Sequence, residues 1–300
     1  MKERLYTDLA LEERERFEEN VEISGVQIEE EYNQSLDMKT TVVTIVNRNG
    51  EKKMGKPKGR YVTMESRLFR EKGKKGFAEE LKKHLISMTD KYQIKKILIV
   101  GLGNAEATPD ALGPQVAGKI KIREGIYCIA PGVLAQTGME SCEIVKGIVE
   151  EVQPDLVLVV DSLASRNLRR VSTTIQLTDT GIVPGSGVGN HRKGLNERTL
   201  KKKVFALGVP MVVSGATIVN DTMEKLLQIL EATSKNGTLT GVLENYSTEE
   251  KYQLFEELLS EETEQTFVTP KDVDEIVENL SDILSEAINL FCVEQVICQN

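Results

Sequence analysis

Hydrophobic positions along this 300-residue chain fall into two kinds of run. Short unbroken apolar stretches occur at residues 96–101 (KILIVG), 126–130 (IYCIA) and 155–161 (DLVLVVD). Such runs suit strands buried on both faces of a parallel sheet. The β-branched stretches at 40–47 (TTVVTIVN), 172–178 (STTIQLT) and 204–209 (VFALGV) predict further strands. Between and after them, apolar residues recur at helical spacing. Residues 76–89 place Phe77, Leu81, Leu85 and Ile86 on one face, and residues 139–152, 220–232 and 248–259 predict more helices. Residues 271–291 carry Val273, Ile276, Val277, Leu280, Leu284 and Ile288 in the same rhythm. Strands alternating with amphipathic helices predict an α/β fold: a three-layer α/β/α arrangement around a mostly parallel sheet, with C-terminal helices packed on it. The first forty residues are acidic and weakly patterned and read as a loosely held arm. Residues 51–60 (EKKMGKPKGR) and 234–241 (SKNGTLTG) read as connections.

Composition narrows the class. The apolar fraction is 40% and the charged fraction 28%, as in soluble globular proteins. A net charge of -9 argues against a general nucleic-acid surface, which needs a cationic field. No apolar run approaches the roughly 20 residues that span a bilayer, and the charged N-terminus lacks the apolar centre of a secretory signal. Cys128, Cys142, Cys292 and Cys298 form no C-x-x-C pair and read as reduced thiols, which makes the cytoplasm the expected compartment. The turn GLGN at 101–104 follows a strand, but Glu106 stands where a dinucleotide fingerprint needs its third glycine. Its glycines serve better as a sharp turn at the sheet's carboxyl edge, and no cofactor is expected.

The candidate chemistry lies in two aspartates. In TPDALGP (108–114), Thr108 can cap a helix, Pro109 suits its first position, and Asp110 falls in its first turn. Asp161 ends the run LVLVV and should emerge at the carboxyl end of a central strand, away from the apolar core. Each aspartate alone has a structural explanation, in helix capping or loop capping. Together, at one sheet edge, they can converge on one cleft and share a proton, one activating water and the other protonating a leaving nitrogen. Asn104 is adjacent to that edge and is a candidate for orienting substrate or a carboxylate. The loop PGSGVGN (184–190), with Gly187 and Gly189, either offers backbone amides to a peptide or is an ordinary loop. His84 and His191 are the only histidines, and no G-x-S-x-G elbow is present, so a serine triad is not expected.

The blocks GLGNAEATPDALGP (101–114), APGVLAQTGMES (130–141), VVDSLASRNLRRVSTTIQLTDTGIVPGSGVGN (159–190) and ALGVP (206–210) together resemble the germination proteases of spore-forming bacteria. TDLALE (7–12) and VTPKDVD (268–274) carry the similarity toward both ends. The resemblance implies a cytoplasmic endopeptidase of the spore core that degrades small acid-soluble DNA-protecting proteins at germination. It implies a zymogen, a homotetramer, a fold similar to hydrogenase maturation endopeptidases, and Asp110 and Asp161 as the catalytic pair. Family proenzymes shed an N-terminal peptide between an acidic and an apolar residue. Asp8-Leu9 fits that pattern, making residues 1–8 a candidate propeptide and 9–300 a single peptidase domain. His191 departs from the basic residue the family carries there. That leaves open a metal-dependent maturation endopeptidase using Asp110, Asp161 and His191, and beside it a non-catalytic peptide- or metal-binding module.

Overall fold

The computed structural model describes residues 7–17, 21–71, 76–185, 193–233 and 266–297. Helix α1 (Ala10–Arg14) opens the chain, followed by strands β1 (Val26–Asn33) and β2 (Met38–Ile45), helix α2 (Arg48–Met54) and strand β3 (Gly59–Glu65). Helix α3 (Phe77–Thr89), strand β4 (Ile97–Gly101), helix α4 (Leu112–Gly118), strand β5 (Ile126–Ile129), helix α5 (Leu134–Thr137) and helix α6 (Ser141–Val152) come next. Then follow β6 (Leu156–Ser165), β7 (Thr174–Thr178), α7 (Glu197–Leu200), β8 (Lys203–Ser214), α8 (Gly215–Thr233), β9 (Phe267–Val268) and α9 (Val273–Cys292).

All these strands join one sheet in the order β1-β2-β3-β7-β8-β6-β4-β5, with β9 paired to the far end of β8. The fold is α/β, as the alternation predicts, but the sheet is mixed rather than mostly parallel. Strands β8, β6, β4 and β5 run parallel, with α4 crossing from β4 to β5 and α5 and α6 from β5 to β6. Strands β1, β2, β3 and β7 pair antiparallel, and β7 joins β8 antiparallel too. The antiparallel half escaped the sequence reading because its outer strand, VQIEEEYN, is exposed along most of its length and carries no apolar pattern. The expected loose arm is thus partly strand β1. It is also partly a docked segment in which Leu9 and Ala10 are fully buried.

The supposed connection at 51–60 opens on the end of helix α2, through Met54, and closes on the start of strand β3 at Gly59. Asn47 caps α2 by accepting from the Asn49 and Gly50 N–H groups, and Gly55, at φ 64°, stops it in the left-handed conformation that favours glycine. Strand β5 lies at the sheet edge and leaves Cys128 half-buried rather than buried. The expected helix at 248–259 and connection at 234–241 lie outside the described residues.

The two faces of the sheet are covered differently. On one face, α3, α4 and α9 lay Leu81, Leu85, Val116, Leu280, Leu284 and Phe291 over a continuous apolar layer that includes Val62, Ile175, Leu207 and Val160. Each large side chain so buried stabilises by roughly 1.5–3 kcal/mol. On the opposite face the core splits in two. One cluster gathers Cys142, Val145 and Val149 of α6 with Leu200 of α7 over Val157 and Val159. The other gathers Ala10 of α1 and Met54 of α2 over Val43 and Tyr61. Between these clusters the alternating side chains of β6 and β7 present Asp161, Gln176 and Thr178, all of them buried.

Candidate active site

Asp161 lies within β6 rather than at its end, since the strand runs on to Ser165, and its side chain is only 5% exposed. The expectation that it stands clear of the core therefore needs correction. What opens the strand at Asp161 is its neighbour's end. Strand β4 stops at Gly101, and its pairing closes with the Leu102 N–H donating to the Val160 carbonyl at 2.8 Å. From Asp161 onward, one edge of β6 is left without that neighbour. Asp161 Oδ1 accepts from the Ser162 N–H at 2.9 Å.

Asp110 arrives at the same edge by close backbone packing. The Thr108–Asp110 segment is a single 3-10 turn, and the α-helix starts two residues later, at Leu112. Thr108 makes no cap, contrary to expectation, because Ala107 holds the capping position and no side chain caps the turn. A Cβ on Gly113 would meet the Leu102 carbonyl oxygen at 2.2 Å and the Val160 carbonyl oxygen at 2.7 Å, so α4 starts hard against both strands. Gly103, at φ +119°, lies where a Cβ would stand 1.9 Å from the Asp110 carbonyl oxygen. The Asn104 N–H donates to Asp110 Oδ2 at 2.7 Å. Asn104 thus orients this carboxylate through its backbone. Its side-chain oxygen accepts from Gln136 Nε2 at 2.7 Å, tying the loop after β4 to α5.

Asp110 and Asp161 line one cleft of about 320 Å³, shared with Gly103, Ser162, Leu163 and Gly185. Ser162 Oγ is buried there with no hydrogen-bond partner among the described residues. Gly187, Gly189 and His191 lie outside the described residues. Among the described residues, no three Asp, Glu, His or Cys side chains gather in an arrangement that could hold a metal ion.

Asp8 lines this cleft too. It also lines a second cavity, of about 250 Å³, with Lys56, Tyr61, Gln176, Thr178 and Gly208. The segment around it is tied to β6 at Ala164. The Asp8 N–H donates to the Ala164 carbonyl at 3.2 Å, and the Ala164 N–H donates to Asp8 Oδ2 at 2.9 Å. Lys56 Nζ donates to the Thr7 carbonyl at 2.7 Å, and burial pulls the lysine pKa below its ordinary value against the opposing pull of Asp8, Glu13 and Glu12. Gln176 uses both ends of its amide: Oε1 accepts from the Ala10 N–H at 2.8 Å, and Nε2 donates to the Asp8 carbonyl at 3.1 Å.

The far end of the segment is held by Glu12, only 1% exposed, which accepts from Ser165 Oγ at 2.7 Å, the Arg166 N–H at 2.7 Å, the Asn167 N–H at 3.0 Å and the Thr7 hydroxyl. Sequence reasoning passed over Gln176, Lys56 and Glu12. The signal for Gln176 was available: Thr174, Gln176 and Thr178 make a polar row on a strand whose other row, Ile175 and Leu177, is apolar. A buried polar row needs partners.

The germination protease family model matches residues 6–238 of the chain. A germination protease of Caldanaerobacter subterraneus is 44% identical over 304 residues, covering 95% of this chain and 93% of its own. Those of Clostridium perfringens and Clostridium tetani are each 41% identical, with 95% of this chain and 94% of theirs covered. Among solved structures, a [NiFe] hydrogenase maturation protease of Thermococcus kodakarensis covers 68% of this chain at 15% identity with a TM-score of 0.38.

Proposed function

The chain belongs to the germination protease family and is an endopeptidase, and we propose that it hydrolyses peptide bonds with a water activated between Asp110 and Asp161. The observation that carries this reading is the shared cleft. Two carboxylates, one from within β6 and one from the turn before α4, line one space, and Asp8, the residue before the candidate self-cleavage bond, lines it with them. In the reaction, the pair holds one proton between its two carboxyl groups. The ionised member takes a proton from water as the water oxygen bonds to the peptide carbon. The protonated member gives its proton to the departing nitrogen as the carbon–nitrogen bond breaks, leaving a carboxylic acid and a free amine, with one proton again on the pair. The buried Ser162 hydroxyl, lacking a partner among the described residues, offers a further hydrogen bond to the water or the peptide.

In this reading the chain is a zymogen that cuts itself between Asp8 and Leu9, and residues 1–8 are its propeptide. The docked segment supports it, because Asp8 lines the cleft and is followed by the fully buried Leu9, an acidic residue before an apolar one. The substrates are small acid-soluble DNA-protecting spore proteins, whose extended chains can take the place of the propeptide. The place of action is the spore core and the assembly is a homotetramer. No helix among the described residues is long and apolar enough to cross a bilayer.

The test is self-processing and substrate cleavage by Asp110→Asn and Asp161→Asn, followed by mass spectrometry. Each substitution keeps the side chain's shape and removes the carboxylate, so both reactions should fall at least 10³-fold. Normal processing by either variant overturns the aspartate mechanism. An intact Met1 in the fully active wild-type protein overturns the propeptide.

A further inference from the structure

The aspartate pair accounts for the water and the leaving group but leaves the carbonyl oxygen of the cut bond without a donor. That oxygen takes up the negative charge when water adds, and a fixed donor aimed at it is often the largest single contribution to catalysis. Resting on the reading that the chain cuts itself between Asp8 and Leu9, we propose that Gln176 is a catalytic residue. It grips the substrate backbone on both sides of the scissile bond, and its Nε2–H stabilises the oxyanion.

The geometry is specific to this bond. Nε2 donates to the Asp8 carbonyl oxygen at 3.1 Å, and Oε1 accepts from the Ala10 N–H at 2.8 Å. Only a side chain with a donor and an acceptor side by side can do both. The Ala10 N–H can pair only with the oxygen end, which fixes the nitrogen end toward Asp8. Gln176 is 6% exposed, so the amide works away from bulk water, where a hydrogen bond to developing charge is worth most.

The sheet aims this amide. Asp161 on β6 and Gln176 on β7 both stand opposite Gly208 on β8, so all three share one row and one face. With strands roughly 4.8 Å apart, the Cα atoms of Asp161 and Gln176 are about 10 Å from each other. The residue between them has no side chain, and the Leu163 side chain packs over it, 2.6 Å from where a Cβ would stand, so Leu163 lines both the aspartate cleft and the Gln176 cavity. Asp8 lines the cleft of the aspartates and also the cavity of Gln176. Asp8 thus borders both spaces, with its carbonyl held by Gln176 Nε2. When water adds, the carbonyl π pair moves onto the oxygen facing Nε2. When the carbon–nitrogen bond breaks, that pair re-forms the carbonyl of the new Asp8 carboxyl group.

The test compares wild type with Gln176→Glu on self-processing and on a peptide spanning residues 4–14. A glutamate keeps the acceptor for the Ala10 N–H but loses the donor at neutral pH. Its kcat should fall about 10²–10³-fold with KM changed only a few-fold. The loss, as a ratio to wild type at each pH, should shrink as pH falls and the carboxyl regains a proton to donate, which a merely structural role would not produce. Against wild-type protein, a peptide with a backbone ester in place of the Ala10 N–H should lose about ten-fold in kcat/KM. This arm needs no altered protein and so stands even if the variant misfolds. Wild-type rates in the variant, or an ester peptide cut as fast as its parent, overturn the role of Gln176. A wild-type protein that cuts neither itself nor the peptide between Asp8 and Leu9 overturns instead the reading on which that role rests.

Discussion

Replacing Gly103 by alanine tests whether backbone packing, rather than the aspartate alone, sets the site. Gly103 sits at φ +119°, where the added methyl would stand 1.9 Å from the Asp110 carbonyl oxygen and 3.2 Å from its carboxyl carbon. Real Cβ contacts essentially never fall below 3.0 Å, so the turn bearing Asp110 would have to retreat by about 1 Å. It cannot move inward, since Gly113 behind it is already in contact with the Leu102 and Val160 backbone. The strained φ costs about 1–3 kcal/mol, and overpacking about 1–3 kcal/mol more. A displacement near 1 Å at a reacting group costs on the order of 10²-fold in rate. Urea denaturation should thus show a loss of about 2–6 kcal/mol, and self-processing, assayed where the variant is still folded, should slow about 100-fold. Gly147→Ala is the control: it lies within α6 with nothing inside 4 Å of the added methyl. It should stabilise by about 0.5–1 kcal/mol and leave the rate alone. If Gly103→Ala cuts at the wild-type rate with unchanged stability, the close-packed turn does not position Asp110.

Two further outcomes concern parts of the chain away from the aspartates. Glu12→Gln removes the charge from a buried carboxylate that accepts from Ser165 Oγ and the Arg166 and Asn167 N–H groups. It should lower stability by roughly 1.5–3 kcal/mol and speed cleavage of residues 7–17 by an added protease, so unchanged digestion would mean that Glu12 does not anchor the segment. His84 is half-buried, and burial chiefly holds its pKa below the ordinary 6.5, with Glu80 opposing and Arg60 assisting. A folded-state value below the unfolded one favours the neutral form, so its stabilising contribution is intact above about pH 6.5 and is lost as pH falls through that value. The urea midpoint of His84→Gln should therefore fall less between pH 7 and 5 than that of wild type, and parallel curves would refute the assignment.

What the sequence shows about this fold depends on what buries each strand. The parallel strands are covered by helices on both faces, so β4 and β6 are solid apolar runs and are legible as strands without knowledge of their partners. Strand β1 carries three consecutive glutamates and is held by main-chain pairing to β2, an interaction that no side-chain pattern reports. Asp110 and Asp161 are visible as carboxylates beside apolar runs, although Asp161 proves to lie mid-strand. Their meeting depends on β4 ending five residues before its neighbour β6 in the paired register, which neither run reveals alone. Gln176 is the least legible, because its partners, the Asp8 carbonyl and the Ala10 N–H, come from the far end of the chain. The same division explains where the cleft lies. On one face the apolar layer is continuous. On the other face the core divides around Asp161, Gln176 and Thr178, and the chain's own residues 7–12 dock beside them, so this N-terminal segment is part of the fold.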